Sequence, residues 1–281
     1  RLSIPDFYGC GYNCGMNSDK YNLRKQMQEE INNILLPFTT IILDGFSHYS
    51  ATFVNKMPVD DCFVTAHQDF SYTDEKEIPS FMCFIPLVDV DINNAALGFI
   101  PKSQLFYDNI RAFPFPLGKS AITENDLNLM AYLDIIPMKK GEMIFFNQKT
   151  IHGSFSNYSN TNRIALSFSL FKKNKKIFTY IHNPKTNGKT ILKYEVDNTF
   201  IVNYNNPELM KMYIDGNINI PYEAINEIPA TEVDTSWKSI KQKLNEHKIS
   251  IKKENLKPII KHLYLKNKLA LKEFIYNKVF K

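Results

Sequence analysis

Between Thr39 and about Tyr204 the chain is a series of short apolar or alternating runs, each closed by Asn, Pro, Gly or Asp. Runs such as "TTIILD", "ATFVNKM", "SFMCFIPLVDV", "EMIFFN", "NRIALSFSLF", "KTILKYEV" and "TFIVNY" are too short for core helices, and turn residues separate them throughout. A chain patterned in this way stacks strands face to face, as a sandwich or a barrel. The 21 Phe and 15 Tyr suit such a core, because aromatic rings fit a pleated, half-buried surface. A length of 281 residues leaves room for one large domain or for a domain with an appendage.

Helical patterns flank the strand series. In "DKYNLRKQMQEEINNILLPF" (19–38), Leu23, Met27, Ile31 and Leu35 recur every four residues, and Pro37 marks the expected end. A helical insert is expected around "TENDLNLMAYL", with Thr123 as N-cap. After Asn206 the pattern is helical again, beginning with "PELMKMYIDG". From Trp237 to Lys281 there are 13 Lys against 3 Glu, a charge of +10 that leaves −5 for the rest of a +5 chain. The acidic body and basic tail divide the chain into an expected catalytic domain (1–235, barrel core about 40–205) and a basic helical C-terminal extension (236–281). The tail's lysines surround an aliphatic stripe. Such a stripe either packs on the body or rests on a membrane or acidic partner.

No run of ~18 apolar residues is present, and the opening residues lack the basic-then-apolar form of a signal peptide. Four cysteines (Cys10, Cys14, Cys62, Cys83) are too few for a disulfide framework, which points to reduced thiols and a cytoplasmic location. "CGYNC" spaces Cys10 and Cys14 like half a zinc site, but no second Cys or His pair follows at finger spacing, so it reads as a glycine-rich loop, with a structural metal as the alternative.

The chemistry concentrates in "FVTAHQDFSY" (63–72). If this is a strand, His67 and Asp69 leave the same face. Two imidazoles and one carboxylate on one side of a metal leave its other side open to O₂ and a cosubstrate. The second imidazole has to come from far along the chain. His152 is the strongest of the remaining histidines, since it follows the strand Ile144–Phe146 and precedes another that begins at Arg163. On that later strand Arg163, Ala165, Ser167 and Ser169 face one way, and Ile164, Leu166, Phe168 and Leu170 the other. A guanidinium among small residues inside a cavity calls for an acid partner, either a carboxylate ligand or a structural acid such as Asp61. Without that context His67 would read as a core histidine, Asp69 as a solvent-facing acid and His152 as a loop residue.

"HQDFSY", "FMCFIPLVDVDINNAALGFIPKSQ" and "GEMIFFNQKTIHGSFSNYSNTNRIALS" together resemble the phytanoyl-CoA dioxygenase family of Fe(II)/2-oxoglutarate oxygenases over roughly residues 40–172. The resemblance implies a double-stranded β-helix, a jelly-roll or cupin-like barrel. It makes His67, Asp69 and His152 the iron ligands, and Arg163 and Ser154 the residues that hold 2-oxoglutarate. It further implies O₂ as oxidant, release of succinate and CO₂, and hydroxylation of a substrate C–H. Halogenating relatives lack the carboxylate, so Asp69 favours hydroxylation, with desaturation, ring closure and epimerisation also open. Two features depart from the family pattern: Ala95 or Ala96 stands where the family has glycine, and "PKSQ" (101–104) replaces a "PGSH"-like turn.

The substrate expected is a small molecule or a carrier-tethered metabolite, bordered by "FPFPLG" (113–118), Tyr72 and the 204–230 segment. A nucleic-acid substrate is disfavoured, because the basic residues gather in the tail and not around the triad. The alternatives are a catalytically inactive jelly-roll binding domain and a cupin-like metalloenzyme that needs no 2-oxoglutarate.

Overall fold

A computed structural model describes residues 11–113 and 122–279, and they are mostly β with flanking helices. Cys10 and most of "FPFPLG" lie outside them. The first element is a short strand, β1 (Tyr12–Cys14), where a loop was expected. Helix α1 (Tyr21–Ile42) follows and buries Met27, Ile31, Leu35 and Thr39. It does not stop at Pro37; "TTIILD", expected as a strand, forms its last turn. Proline removes one backbone bond there, and His48 holds the helix on either side of the defect. Its Nε2 lies 2.7 Å from Thr39 Oγ1 and its Nδ1 2.9 Å from Asn32 Oδ1.

Two sheets carry the site. The five-stranded sheet is ordered β1-β2-β9-β4-β7, with β2 (Phe46–Lys56), β4 (Phe81–Pro86), β7 (Ile144–Asn147) and β9 (Arg163–Lys172). The four-stranded sheet is ordered β3-β8-β5-β6, with β3 (Val64–His67), β5 (Gly98–Phe99), β6 (Asp134–Ile135) and β8 (His152–Ser154). Residues of both sheets line one cavity of about 330 Å³. Strand β9 alternates as its sequence requires. Phe168 and Leu170 pack under α1, while Arg163, Ser167 and Ser169 face the cavity.

A third sheet, β10-β11-β12, is built from β10 (Ile177–His182), β11 (Thr190–Val196) and β12 (Ala224–Pro229). The last of these lies in a stretch expected to be helical. Conversely "TFIVNY" holds the short helix α3 (Phe200–Asn203), not a strand. Helix α2 (Asp126–Met130) is preceded by a 3-10 turn at Thr123–Asn125. Helix α4 (Asn206–Ile214) opens on a capping box between Asn205 and Glu208.

The basic tail packs on the body. Helix α5 (Trp237–Glu246) buries Ile240 and Leu244 among Phe63, Phe106 and Phe155. Asn255 donates to the carbonyls of Met130 and Leu133, at 3.0 and 2.8 Å. On α6 (Leu256–Val279), His262 stacks on Phe63 at 4.2 Å and sets its Nδ1 2.5 Å from Asp61 Oδ1. Among the described residues no helix is long and apolar enough to cross a membrane. Cys14 and Cys83 are free, whereas Cys62 is disulfide-bonded. That corrects the expectation of four reduced thiols, since sequence spacing does not reveal which thiols the fold brings together.

Candidate metal centre

His67 ends β3 and His152 begins β8, and the two are paired directly across the ladder. Gly153 makes this pairing tight: a Cβ there would meet the Val64 carbonyl oxygen at 2.6 Å. The "HGS" sequence thus has a steric cause. The imidazole centroids lie 4.3 Å apart. Each ring donates its Nδ1 hydrogen to the carbonyl two residues earlier, His67 to Thr65 at 2.8 Å and His152 to Thr150 at 3.0 Å. Both Nε2 lone pairs are thereby left facing inward.

Asp69 lies in the turn beyond β3 and completes the cluster. Its Oδ1 is 4.0 Å from His67 Nε2 and its Oδ2 3.7 Å from His152 Nε2. One candidate ligand atom from each residue lies within 4.8 Å of the others, and this is the one such metal-sized group among the described residues. Burial first, and then the neighbouring His152, press the His67 imidazole down to about 4, so it is neutral at pH 7. Asp69 Oδ2 is buried without a hydrogen-bond partner among the described residues. Two inward lone pairs and an unpartnered carboxylate oxygen fit a divalent cation.

Arg163 sits at the start of β9 and is 2% exposed. Its Nε and Nη1 find no hydrogen-bond partner among the described residues. The guanidinium lies 5.4 Å from the Phe84 ring centroid. Asp61, the structural partner considered for it, is taken by His262. A second buried basic residue, Lys56, stands opposite Arg163 in the β2–β9 register. Lys56 Nζ donates to Ser154 Oγ at 2.8 Å and to the Ser154 and Phe155 carbonyls at 3.2 and 2.6 Å. Burial, followed by Arg163, holds its ammonium well below its usual range.

Arg163, a buried guanidinium on the cavity wall, makes its end of the cavity a place for an anion, with Lys56 behind it against Ser154. Lys56 escaped the sequence reading. The signal was there, since it shares an inward strand parity with Thr52 and Val54. Tyr72, Asn205 and Met210 also line the cavity, as expected for Tyr72 and the 204–230 segment. Phe113, the first residue of "FPFPLG", lines it as well.

Residues 28–165 match the family "Phytanoyl-CoA dioxygenase (PhyH)". No curated protein matches the chain. Among solved structures, SnoK, described as a non-heme alpha ketoglutarate dependent carbocyclase from nogalamycin biosynthesis, aligns at 15% identity and a TM-score of 0.45, covering 59% of this chain and 65% of its own. The epimerase SnoN, in complex with Fe3+, alpha ketoglutarate and nogalamycin RO, aligns at 12% identity and a TM-score of 0.41, covering 80% of this chain and 76% of its own. EvdMO1 aligns at 20% identity and a TM-score of 0.37, covering 46% of this chain and 28% of its own. Residues 28–165, just under half of the 281-residue chain, are thus the part that is similar to the phytanoyl-CoA dioxygenase family.

Proposed function

We propose that the chain is a non-haem Fe(II)- and 2-oxoglutarate-dependent dioxygenase that hydroxylates an unactivated C–H of a small-molecule or carrier-tethered metabolite. The observation that carries this reading is the Asp69 carboxylate between two imidazoles, its Oδ2 without a hydrogen-bond partner among the described residues, in the same cavity as a buried Arg163 whose Nε and Nη1 likewise have none. Either feature alone has structural explanations. Together they supply places for a divalent metal and for a carboxylate.

On this reading His67, Asp69 and His152 hold Fe(II), which with 2-oxoglutarate and O₂ supplies C–H oxidation with release of succinate and CO₂. The protein binds, orients and excludes water. Arg163 receives the far carboxylate of 2-oxoglutarate through its free Nε–H and Nη1–H. Because Lys56 already donates to Ser154 Oγ, the Ser154 hydroxyl hydrogen is free to point at the same carboxylate. The Thr65 and Thr150 carbonyls hold each ring by Nδ1, so Nε2 is the nitrogen that each would offer a metal. Phe70, Tyr72, Phe113 and Met210 line the cavity with apolar surface that keeps bulk water from the reacting atoms.

The five- and four-stranded sheets are on this reading the two faces of a double-stranded β-helix. Residues 1–235 form the catalytic unit, and 236–281 form an extension that contributes stability but no ligand. The test is consumption of 2-oxoglutarate by protein supplied with Fe(II), alone and with candidate metabolite pools. Iron-dependent succinate formation that disappears in His152→Ala supports the reading. No turnover with any pool despite bound iron would favour an inactive binding domain. Substrate oxidation without 2-oxoglutarate would favour a cupin-like enzyme.

A further inference from the structure

The two histidines are oriented by hydrogen bonds on the nitrogen that faces away from the centre. Asp69 has no comparable support. It lies past the last residue of β3, where no ladder holds the chain, and its Oδ2 finds no hydrogen-bond partner among the described residues. A ligating carboxylate is ordinarily steadied by neighbouring donors. Here the steadying falls on its own peptide group. The Asp69 amide donates to the Gln148 carbonyl at 3.2 Å, and the Asp69 carbonyl accepts from Arg111 Nε at 2.5 Å.

Arg111 is itself held hard. It is 3% exposed and sits 42 residues along the chain from Asp69. Its Nη2 donates to Glu75 Oε1 at 2.6 Å, and Glu75 is only 11% exposed. The second Glu75 oxygen accepts from Ser71 Oγ at 3.1 Å, and Ser80 Oγ lies 3.1 Å from the first. The backbones are tied as well: Ser71 N donates to the Arg111 carbonyl, and Arg111 N to Ser71 Oγ, both at 3.1 Å. A salt bridge this buried is weak evidence of a stability role, because desolvation offsets most of its Coulomb energy. What the planar guanidinium offers is direction. One edge carries two donors at a fixed angle, to Glu75 and to the Asp69 carbonyl.

We infer that Arg111, locked by Glu75, is a positioning residue for Asp69: it fixes the Asp69 peptide and so sets where the carboxylate points in the metal centre. The inference rests on the metal-centre reading above. Lysine in place of Arg111 keeps the charge but has a single ammonium that cannot span both acceptors in the same geometry. Glu75→Gln removes the charge that locks the guanidinium while leaving its bond to Asp69 available.

The test measures affinity for Mn(II), which is stable in air, and for Fe(II) under argon, with metal-free thermal stability alongside. Arg111→Lys is expected to weaken metal binding by about 10–100-fold, as loss of outer support for a ligand does, and Glu75→Gln to shift it in the same direction. The decisive comparison repeats each change in an Asp69→Ala background, where a residue that acts through Asp69 has nothing left to position. Residual affinity there should change by less than about twofold, the additivity limit for independent sites. Equal losses with and without Asp69 would show a general role in folding, and unchanged affinity in both single variants would show no role; either overturns the inference. If Arg111→Lys does not fold, the Glu75→Gln cycle decides alone. Failure of the underlying reading looks different: the unaltered protein would bind no Mn(II), or His152→Ala would bind it equally well.

Discussion

Replacing Arg163 by methionine should make the metal-free, ligand-free protein more stable while removing its hold on 2-oxoglutarate. Arg163 is 2% exposed, and two of its nitrogens have no hydrogen-bond partner among the described residues. An unpaired buried polar group costs about 1–3 kcal/mol. Burial depresses the guanidinium to about 10, which leaves it charged at neutral pH. Methionine fills similar volume against Phe84 without needing partners. Apolar replacements of buried charged groups are neutral or stabilising by about 1–4 kcal/mol. A gain of ~1–3 kcal/mol corresponds to a rise in Tm of roughly 2–4 °C per kcal/mol in a chain near this size.

The cosubstrate side has the opposite sign. Losing the charged partner of a buried carboxylate costs about 2–5 kcal/mol, or roughly 30- to 4,000-fold in Kd. The assay is thermal unfolding with and without 2-oxoglutarate, at fixed Mn(II). Saturation at a hundred times Kd should add ~2.7 kcal/mol to the unaltered protein and little to Arg163→Met. A variant that is less stable when empty yet keeps its 2-oxoglutarate shift would refute the reasoning and make Arg163 a structural residue.

Lys102 adopts φ +65° in the "PKSQ" turn and is exposed, so Lys102→Gly should relieve part of a left-handed strain of ~1–2 kcal/mol and raise Tm. A lower Tm would mean that the lysine makes compensating contacts. Burial depresses His48 to about 4, while its unfolded value is about 6.5. A depressed histidine contributes stability that is fully present above the unfolded value and lost as pH falls from about 6.5 to 4. His48→Gln should therefore flatten the decline of metal-free stability in that window, by up to about 1.4 kcal/mol per pH unit; an unchanged slope would contradict this. Ending the chain at Thr235 removes Ile240 and Leu244, each 1% exposed. At about 1.5–3 kcal/mol per buried side chain, unfolding should become markedly easier while Mn(II) affinity is kept. A well-folded truncation that no longer binds Mn(II) would place the tail in the site.

That His67, Asp69 and His152 come close together was legible in part, because some of the signals are local. His67 and Asp69 are near neighbours in sequence, although β3 ends at His67 and Asp69 lies beyond it, not on the strand as expected, and the alternation of Arg163 with small residues marked a cavity wall. The elements read wrongly were settled by packing. In "TFIVNY", Phe200, Ile201 and Val202 are all buried, and an apolar run with no polar alternation does not distinguish strand from helix. "TTIILD" has strand-forming residues, yet Thr39 is pinned by His48 as part of α1. The family's glycine position is another case. Ala95, not Ala96, holds the left-handed conformation, at φ +67°, so the backbone turn persists without its usual residue. Lys56, the Arg111–Glu75 pair and the disulfide at Cys62 depend on contacts between distant segments, for which a single sequence carries no signal beyond strand parity.

On the proposed function, one cavity binds a metal on His67, Asp69 and His152 and a carboxylate on Arg163. The most direct test is an anaerobic titration of the protein with Fe(II) and then 2-oxoglutarate, following the visible charge-transfer absorption that arises when an α-keto acid chelates ferrous iron. The account predicts a band that saturates at one iron and one 2-oxoglutarate per chain. It should be absent in His152→Ala, and in Arg163→Met it should require far higher 2-oxoglutarate. A band of unchanged strength and midpoint in both variants, or none in the unaltered protein with iron bound, would contradict it.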